Sequence, residues 1–256
     1  MNRSAGEFRL ATFATALVLI ASASSLAAQG ISPTGTFGAQ PTFTFGGSGI
    51  PNDWVMTNTN ATDLGVILGL TATQRFTNPP LTNDGAGTFF AQPGIDVNPP
   101  SGPLDPYARW NFDFFVGGDN AANYHYSLLY DFDPGAGTAQ ANLGSLDPVC
   151  LDEFPVCFFE APSYPAQDSW NLGMDFLTFG PPFDAPPTYG PFDPNAGGEY
   201  SFALLAFDDN GNEVARSAIN VDVASSVVPE PATMSMLAFG LVGLAGVGRR
   251  RKKSLE

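Results

Sequence analysis

The sequence predicts an all-β fold: an antiparallel β-sandwich of jelly-roll or immunoglobulin-like type, flanked by an N-terminal signal helix and a C-terminal transmembrane helix. Three observations lead there. Gly and Pro are abundant, at 28 and 23 residues, while the helix formers Lys, Glu and Arg are scarce in the central region, which favours short strands joined by turns and long loops. Apolar residues in that region alternate with period two, as in strands with one buried face. Both ends carry an uncharged apolar run next to basic residues, the marks of membrane targeting rather than of a core.

At the N-terminus, Arg3 and Arg9 precede an apolar run from Leu10 to Ala23, and Ser25, Leu26 and Ala27 supply small residues for cleavage. A charged start, a short apolar middle and a small-residue site define a secretory signal peptide over 1–28, to be removed by signal peptidase. One acidic β-rich domain is then expected over 29–226.

Within it, residues 43–45 (Phe-Thr-Phe) form an alternating patch, and Asp53, Trp54 and Val55 open the folded body. Residues 64–76 place Leu64, Val66, Leu68, Leu70 and Ala72 at period two and read as a strand. Residues 83–87 (Asn-Asp-Gly-Ala-Gly) are a turn, with a return strand over 88–91. Residues 98–106 are a proline-rich loop. Residues 109–114 (Arg-Trp-Asn-Phe-Asp-Phe) alternate aromatic and polar groups, predicting one buried and one wet face. Residues 124–130 are a further strand, closed by Asp131-Phe-Asp-Pro-Gly. Residues 143–167 read as loop and 170–176 as strand, followed by a long Pro/Gly loop to Asn195. The clearest element comes last: strands over 199–207 and 213–223 flank Asp208-Asp-Asn-Gly-Asn, a β-hairpin with Ile219, Val221 and Val223 on its apolar face.

Charge narrows the partners. Between Gln29 and Val228 the only basic residues are Arg75, Arg109 and Arg216, against 22 acidic ones, a formal charge of −19 without a single lysine. Such a surface repels nucleic acid and anionic membranes, stays soluble, and attracts divalent cations or basic polymers. Cys150 and Cys157 are the only cysteines; outside the cell they are expected to close one small disulfide loop.

Catalytic patterns are scarce, and the expectation is of a non-enzyme. The sole histidine, His125, has no nucleophile or orienting acid at a motif spacing, and no Gly-x-Ser-x-Gly elbow occurs. Glycoside hydrolysis needs two positioned carboxylates, but 22 acids always offer pairs such as Glu153 and Glu160, so their presence discriminates nothing. No resident cofactor is expected. Calcium is the one candidate, at Asp131 and Asp133 or at Asp208 and Asn210, although the second pair departs from the EF-hand spacing and suits a hairpin turn. Trp110, Trp170, Tyr124, Tyr126 and Tyr130 could stack on sugars in a lectin-like module or, as strand residues, fill a core. Asn60-Ala-Thr fits the short N-glycosylation pattern.

The C-terminus is the most specific part of the chain. Val228-Pro-Glu-Pro-Ala232 is followed by an uncharged run over 232–248 and then by Arg249, Arg250, Arg251, Lys252 and Lys253. Seventeen helical residues reach about 25 Å, marginal for a hydrocarbon core of about 30 Å, and the basic cluster would stay cytoplasmic. This order, Pro229-Glu230-Pro231 after Val228, then apolar run, then basic stop, resembles the PEP-CTERM sorting tail over 227–253. The resemblance implies an exosortase as processing partner, transient anchoring in the inner membrane, and delivery to the cell surface or extracellular polysaccharide matrix of a Gram-negative bacterium. Residues 131–137, 168–175, 192–200 and the 203–216 hairpin also look like blocks of some PEP-CTERM ectodomains, a resemblance that supports the fold and carries no chemistry. The expected role is structural or adhesive at the surface or in the matrix, with a lectin-like binder or a glycan hydrolase as alternatives.

Overall fold

A computed structural model describes residues 30–39, 55–57, 64–75, 81–96, 107–152, 163–180 and 184–224. The expected signal peptide, the 43–45 patch, the 98–106 loop, Asn60, Glu153, Glu160, Cys157 and the tail beyond Ala224 lie outside these. The described chain is all-β, with strands divided between two sheets. The strands are β1 (Thr36–Gly38), β2 (Val55–Thr57), β3 (Ile67–Gln74), β4 (Thr82–Asn83), β5 (Thr88–Ala91), β6 (Trp110–Gly117), β7 (His125–Tyr130), β8 (Gly144–Leu146), β9 (Ala166–Trp170), β10 (Asp184–Ala185), β11 (Gly198–Phe207) and β12 (Glu213–Val223), with one short helix α1 (Pro148–Asp152). One sheet has the order β1-β2-β3-β6-β9 and the other β10-β8-β7-β11-β12-β5-β4.

The two sheets share one aromatic core. Along β6 the alternate residues Trp110, Phe112, Phe114 and Val116 point inwards, as do Tyr200, Phe202, Leu204 and Ala206 along β11. Phe112 stacks on Phe202 across the interface at 4.7 Å, and Trp110 meets Tyr200 at 5.8 Å and Phe202 at 6.1 Å. Each fully buried Phe contributes roughly 1.5–3 kcal/mol, so these rings carry much of the stabilisation. Ser217 Oγ adds a polar tie by donating 2.7 Å to the Met56 carbonyl.

Several expected elements are present as read. Val66, Leu68, Leu70 and Ala72 are all buried in β3 and at its start. The β4–β5 hairpin turns on Asp84, whose Oδ1 accepts from the Ala86 and Thr88 amides. The β11–β12 hairpin closes through Asp208 and Asn212, and Gly211 takes the positive φ of +77° that the turn demands.

Four expectations are corrected. The fold is not purely antiparallel: β5 pairs with β12 in parallel, Asn220 facing Thr88. This happens because the β4–β5 hairpin docks on the free edge of β12 rather than on its chain neighbours. Residues 143–167 are not all loop, since they include β8 and α1, the latter capped by Asp147 Oδ1 on the Val149 and Cys150 amides. The strand expected over 170–176 instead ends at Trp170, because Asn171 turns the chain: its carbonyl accepts from Met174 and a 3-10 turn follows over Asp175–Thr178. Finally, the polar face of β6 is not wet. Asp113 is 0 % exposed between Thr71 of β3 and Ser169 of β9.

A second, smaller apolar cluster lies on the outer face of the seven-stranded sheet: Leu129, Ala203, Leu205 and Ala218, with Ile31 and Leu143 packed over them. Residues 30–34 strap across this face, Gly30 bridging Ala139 and Thr34 bridging Ala218, before β1 joins the other sheet. No described helix is long and apolar enough to cross a membrane, and the 232–248 run lies outside the described residues.

Candidate functional site

The two alternative calcium pairs stand at opposite ends of β11: Asp131 follows β7 near Ser201, whereas Asp208 follows β11, seven residues of strand or about 23 Å away. Asp208 is consumed by its turn: Oδ1 accepts from the Asn210 and Asn212 amides, and the Asn212 side chain holds its carboxyl below the usual range. Asp133 Oδ1 accepts from the Gly135 amide at 2.8 Å, and Asp131 Oδ1 from the Asp133 amide at 2.8 Å. Burial pushes Asp131 up to about 6, opposed by the Asp133 amide, the Thr138 hydroxyl and the Ser201 amide. Among the described residues no three His, Cys, Asp or Glu side chains converge on a metal position.

The sequence blocks at 131–137 and 192–200 are two halves of one packed corner. Phe132 meets Tyr130 and Phe192, and Phe192 meets Tyr200 at 5.6 Å. The Glu199 amide donates to the Pro134 carbonyl, and Glu199 Oε1 accepts from the Gly137 amide. Gly198 is required there, because a Cβ would fall 1.9 Å from the Pro134 oxygen. These acidic motifs therefore shape backbone more than they offer ligands.

The block at 168–175 has a comparable purpose. Asn171 is fully buried; its Oδ1 accepts from the Ala108 and Gly173 amides, and Nδ2 faces Ala108 O at 3.0 Å, Trp110 O at 2.8 Å and Asn111 Oδ1 at 2.8 Å. One amide side chain thus clamps the entry of β6 to the exit of β9. Nothing in its spacing marks it, since the partners lie about sixty residues away in sequence.

Of the two readings open for the aromatic residues, the structure bears out the core one. Trp110, Trp170, Tyr126 and Tyr130 are buried, and Tyr124 is partly buried against the core. The Tyr130 hydroxyl is taken by the Leu177 carbonyl and that of Tyr126 by Ala121. His125, by contrast, is 75 % exposed and lies 3.7 Å from Asp209, itself exposed, at the hairpin end.

Sequence reading also missed the fate of the three arginines. Arg75 is buried beside Asp96 at 3.5 Å and lies over the Tyr107 ring at 4.3 Å. Arg216 grips Glu213 with two nitrogens at 2.7 and 2.8 Å and reaches Gln140. Arg109 follows Gly94 and approaches the Ile95 carbonyl. All three are spent on internal contacts, so the described surface presents acids with little cationic relief.

Asp113 is the second missed residue. Both its oxygens are buried without a hydrogen-bond partner in the protein, although the Ser169 and Thr73 hydroxyls lie close. Burial pushes its carboxyl up to about 8. Cys150 is not a free thiol, while Cys157, its expected partner, lies outside the described residues.

The described fold ends where the address begins. The Ala224 amide closes the sheet on the Ala91 carbonyl, and only Ser225 to Val228 separate it from Pro229. No curated protein matches the chain. A family profile described as the PEP-CTERM protein-sorting motif matches residues 227–252, about a tenth of the chain. The chain therefore carries a PEP-CTERM sorting motif shortly after the last strand among the described residues, which marks it as an exported protein processed by an exosortase.

Proposed function

We propose that the mature protein is a non-catalytic, acidic structural or adhesive component of the cell surface or extracellular polysaccharide matrix. The observation that carries this reading is the disposition of charge: −19 over 29–228, with its three arginines turned to internal contacts. A uniformly acidic surface on a rigid two-sheet body suits colloidal stability and salt- or cation-mediated association better than recognition of an anionic partner. Trp110, Trp170, Tyr126 and Tyr130, the rings the sequence offered for a glycan-binding face, are occupied in the core. The route in this reading is signal-peptide removal by signal peptidase, a membrane-held intermediate anchored by 232–248 with 249–253 in the cytoplasm, and release from the tail by the exosortase.

Two measurements test it. Replacing Pro229, Glu230 and Pro231 together by alanine is expected to leave a larger, membrane-associated form on immunoblots of cell fractions. Unchanged processing would sink the sorting step. Fractionation of native cultures is expected to place the processed form with cells or matrix and to release it when ionic strength rises or divalent cations are chelated. A processed form free in the medium under all these conditions would refute the matrix role.

A further inference from the structure

One row across the outer face of the seven-stranded sheet is polar, buried and incompletely satisfied. In the apolar row of that face, Ala203 faces Leu129 on one side and Ala218 on the other. Two residues further along β11 and β12 stand Ser201 and, directly opposite it, Asn220; Asp131, one residue past the end of β7, brings its carboxylate to the Ser201 amide. Asp131, Ser201 and Asn220 are 1 %, 1 % and 7 % exposed. Asp131 Oδ2, Ser201 Oγ and Asn220 Oδ1 are all buried without a hydrogen-bond partner in the protein. The Thr138 hydroxyl also approaches the Asp131 carboxylate, and the strap bridged at Gly30–Ala139 and Thr34–Ala218 runs over the neighbouring apolar row.

Neighbouring strands lie about 4.8 Å apart, so Ser201 sits within roughly 5 Å of Asn220, and the Ser201 amide donates to the Asp131 carboxylate on its other side. The Asp133 and Ser201 amides reach the Asp131 carboxylate, but the buried Asp131 Oδ2, Ser201 Oγ and Asn220 Oδ1 cannot all be satisfied within the row. A serine hydroxyl donates one hydrogen and so can serve either the carboxylate or the amide oxygen, not both. The Asp131 charge has no arginine to pair with, since Arg75, Arg109 and Arg216 are engaged elsewhere. A carboxylate, a hydroxyl and an amide carbonyl form an all-oxygen donor set, the kind that hard cations select. We propose that Asp131, Ser201 and Asn220 form a calcium site that pins β7, β11 and β12 together beneath the N-terminal strap. With one carboxylate it belongs to the weak, roughly millimolar class suited to an exported protein. The site does not depend on the matrix role, and either can fail alone.

The test is thermal unfolding of the exported protein, expressed from the full chain and stripped with EDTA, against added CaCl2. Calcium at about ten times its Kd is expected to raise Tm by roughly 3–6 °C. Asp131→Asn should abolish that rise and unfold at a higher Tm than wild type in EDTA, because it removes an unneutralised buried charge while keeping the shape. This opposite pair of signs separates ligand loss from damage to the fold. Asn220→Leu should also lose the calcium response. An equal rise with NaCl or MgCl2 at matched ionic strength would overturn the proposal, as would a rise retained in Asp131→Asn. So would no rise up to about 10 mM calcium, an outcome that leaves ordered water as the partner of these oxygens.

Discussion

Replacing Asp113 by Asn is expected to stabilise the protein at neutral and alkaline pH and to flatten its dependence on pH. The carboxyl lies on β6, between β3 and β9 of the five-stranded sheet, and burial moves it from 3.8 to about 8. The neutral form is thus the one the fold favours. The raised value means that this group's stability is fully present below about pH 4 and is lost progressively as pH rises to about 8. Above that, a buried charge persists at a cost of up to about 5 kcal/mol, less any relief from local rearrangement. Asn has the same shape and no charge, and its amide can donate to the Ser169 and Thr73 hydroxyls beside it. Urea unfolding of both proteins between pH 4 and 9 checks this. Wild-type stability should fall across the whole range, while the variant should fall only at the acid end, where Asp131 and Asp147 still titrate, and exceed wild type by about 2–5 kcal/mol at the upper end. Parallel profiles would show that the carboxyl is not the titrating group.

Replacing Asn171 by Ala is expected to destabilise by about 3–5 kcal/mol. The change leaves the Ala108 and Gly173 amides and the Ala108 and Trp110 carbonyls without their side-chain partner in a dry site. Each such orphan costs about 1–3 kcal/mol, with partial relief if water enters. Asn171→Asp should be nearly as damaging, because a carboxylate cannot donate to two carbonyls and its charge is buried. Asn111→Ala, which removes only one of the clamp's contacts and the 3.0 Å bond to Ser169, should cost far less. Equal losses for Asn111→Ala and Asn171→Ala in denaturant unfolding would contradict the clamp.

The β-class of this protein was legible wherever the signal was local. Period-two alternation places Val66, Leu68, Leu70 and Ala72 inside, and Ile219, Val221 and Val223 likewise, because strand pleating alone dictates it. The Asp208–Asn212 turn was equally readable, since a turn satisfies its own hydrogen bonds within five residues. Where the reading failed, a neighbour distant in sequence decided the outcome. Alternation along β6 suggests a wet face at Asp113, but β3 and β9 close over both sides. Trp170 ends its strand early because Asn171 finds backbone partners near residue 108. The aromatic residues suited to sugars are core residues because the second sheet lies over them.

The candidate sites divide in the same way. The sorting motif is a linear address, read as an order of Pro-Glu-Pro, apolar run and basic stop, so the sequence by itself determined it. The route out of the cell follows from that order without any fold. The row Asp131, Ser201 and Asn220 exists only as cross-strand register: its members stand seventy and nineteen positions apart along the chain, and no spacing connects them. Charge shows the same split. Composition established that the exported region is acidic, but only tertiary packing decided that Arg75 is buried beside Asp96 while Arg216 pairs with Glu213, because the fate of a cation is settled by the partners the fold brings to it.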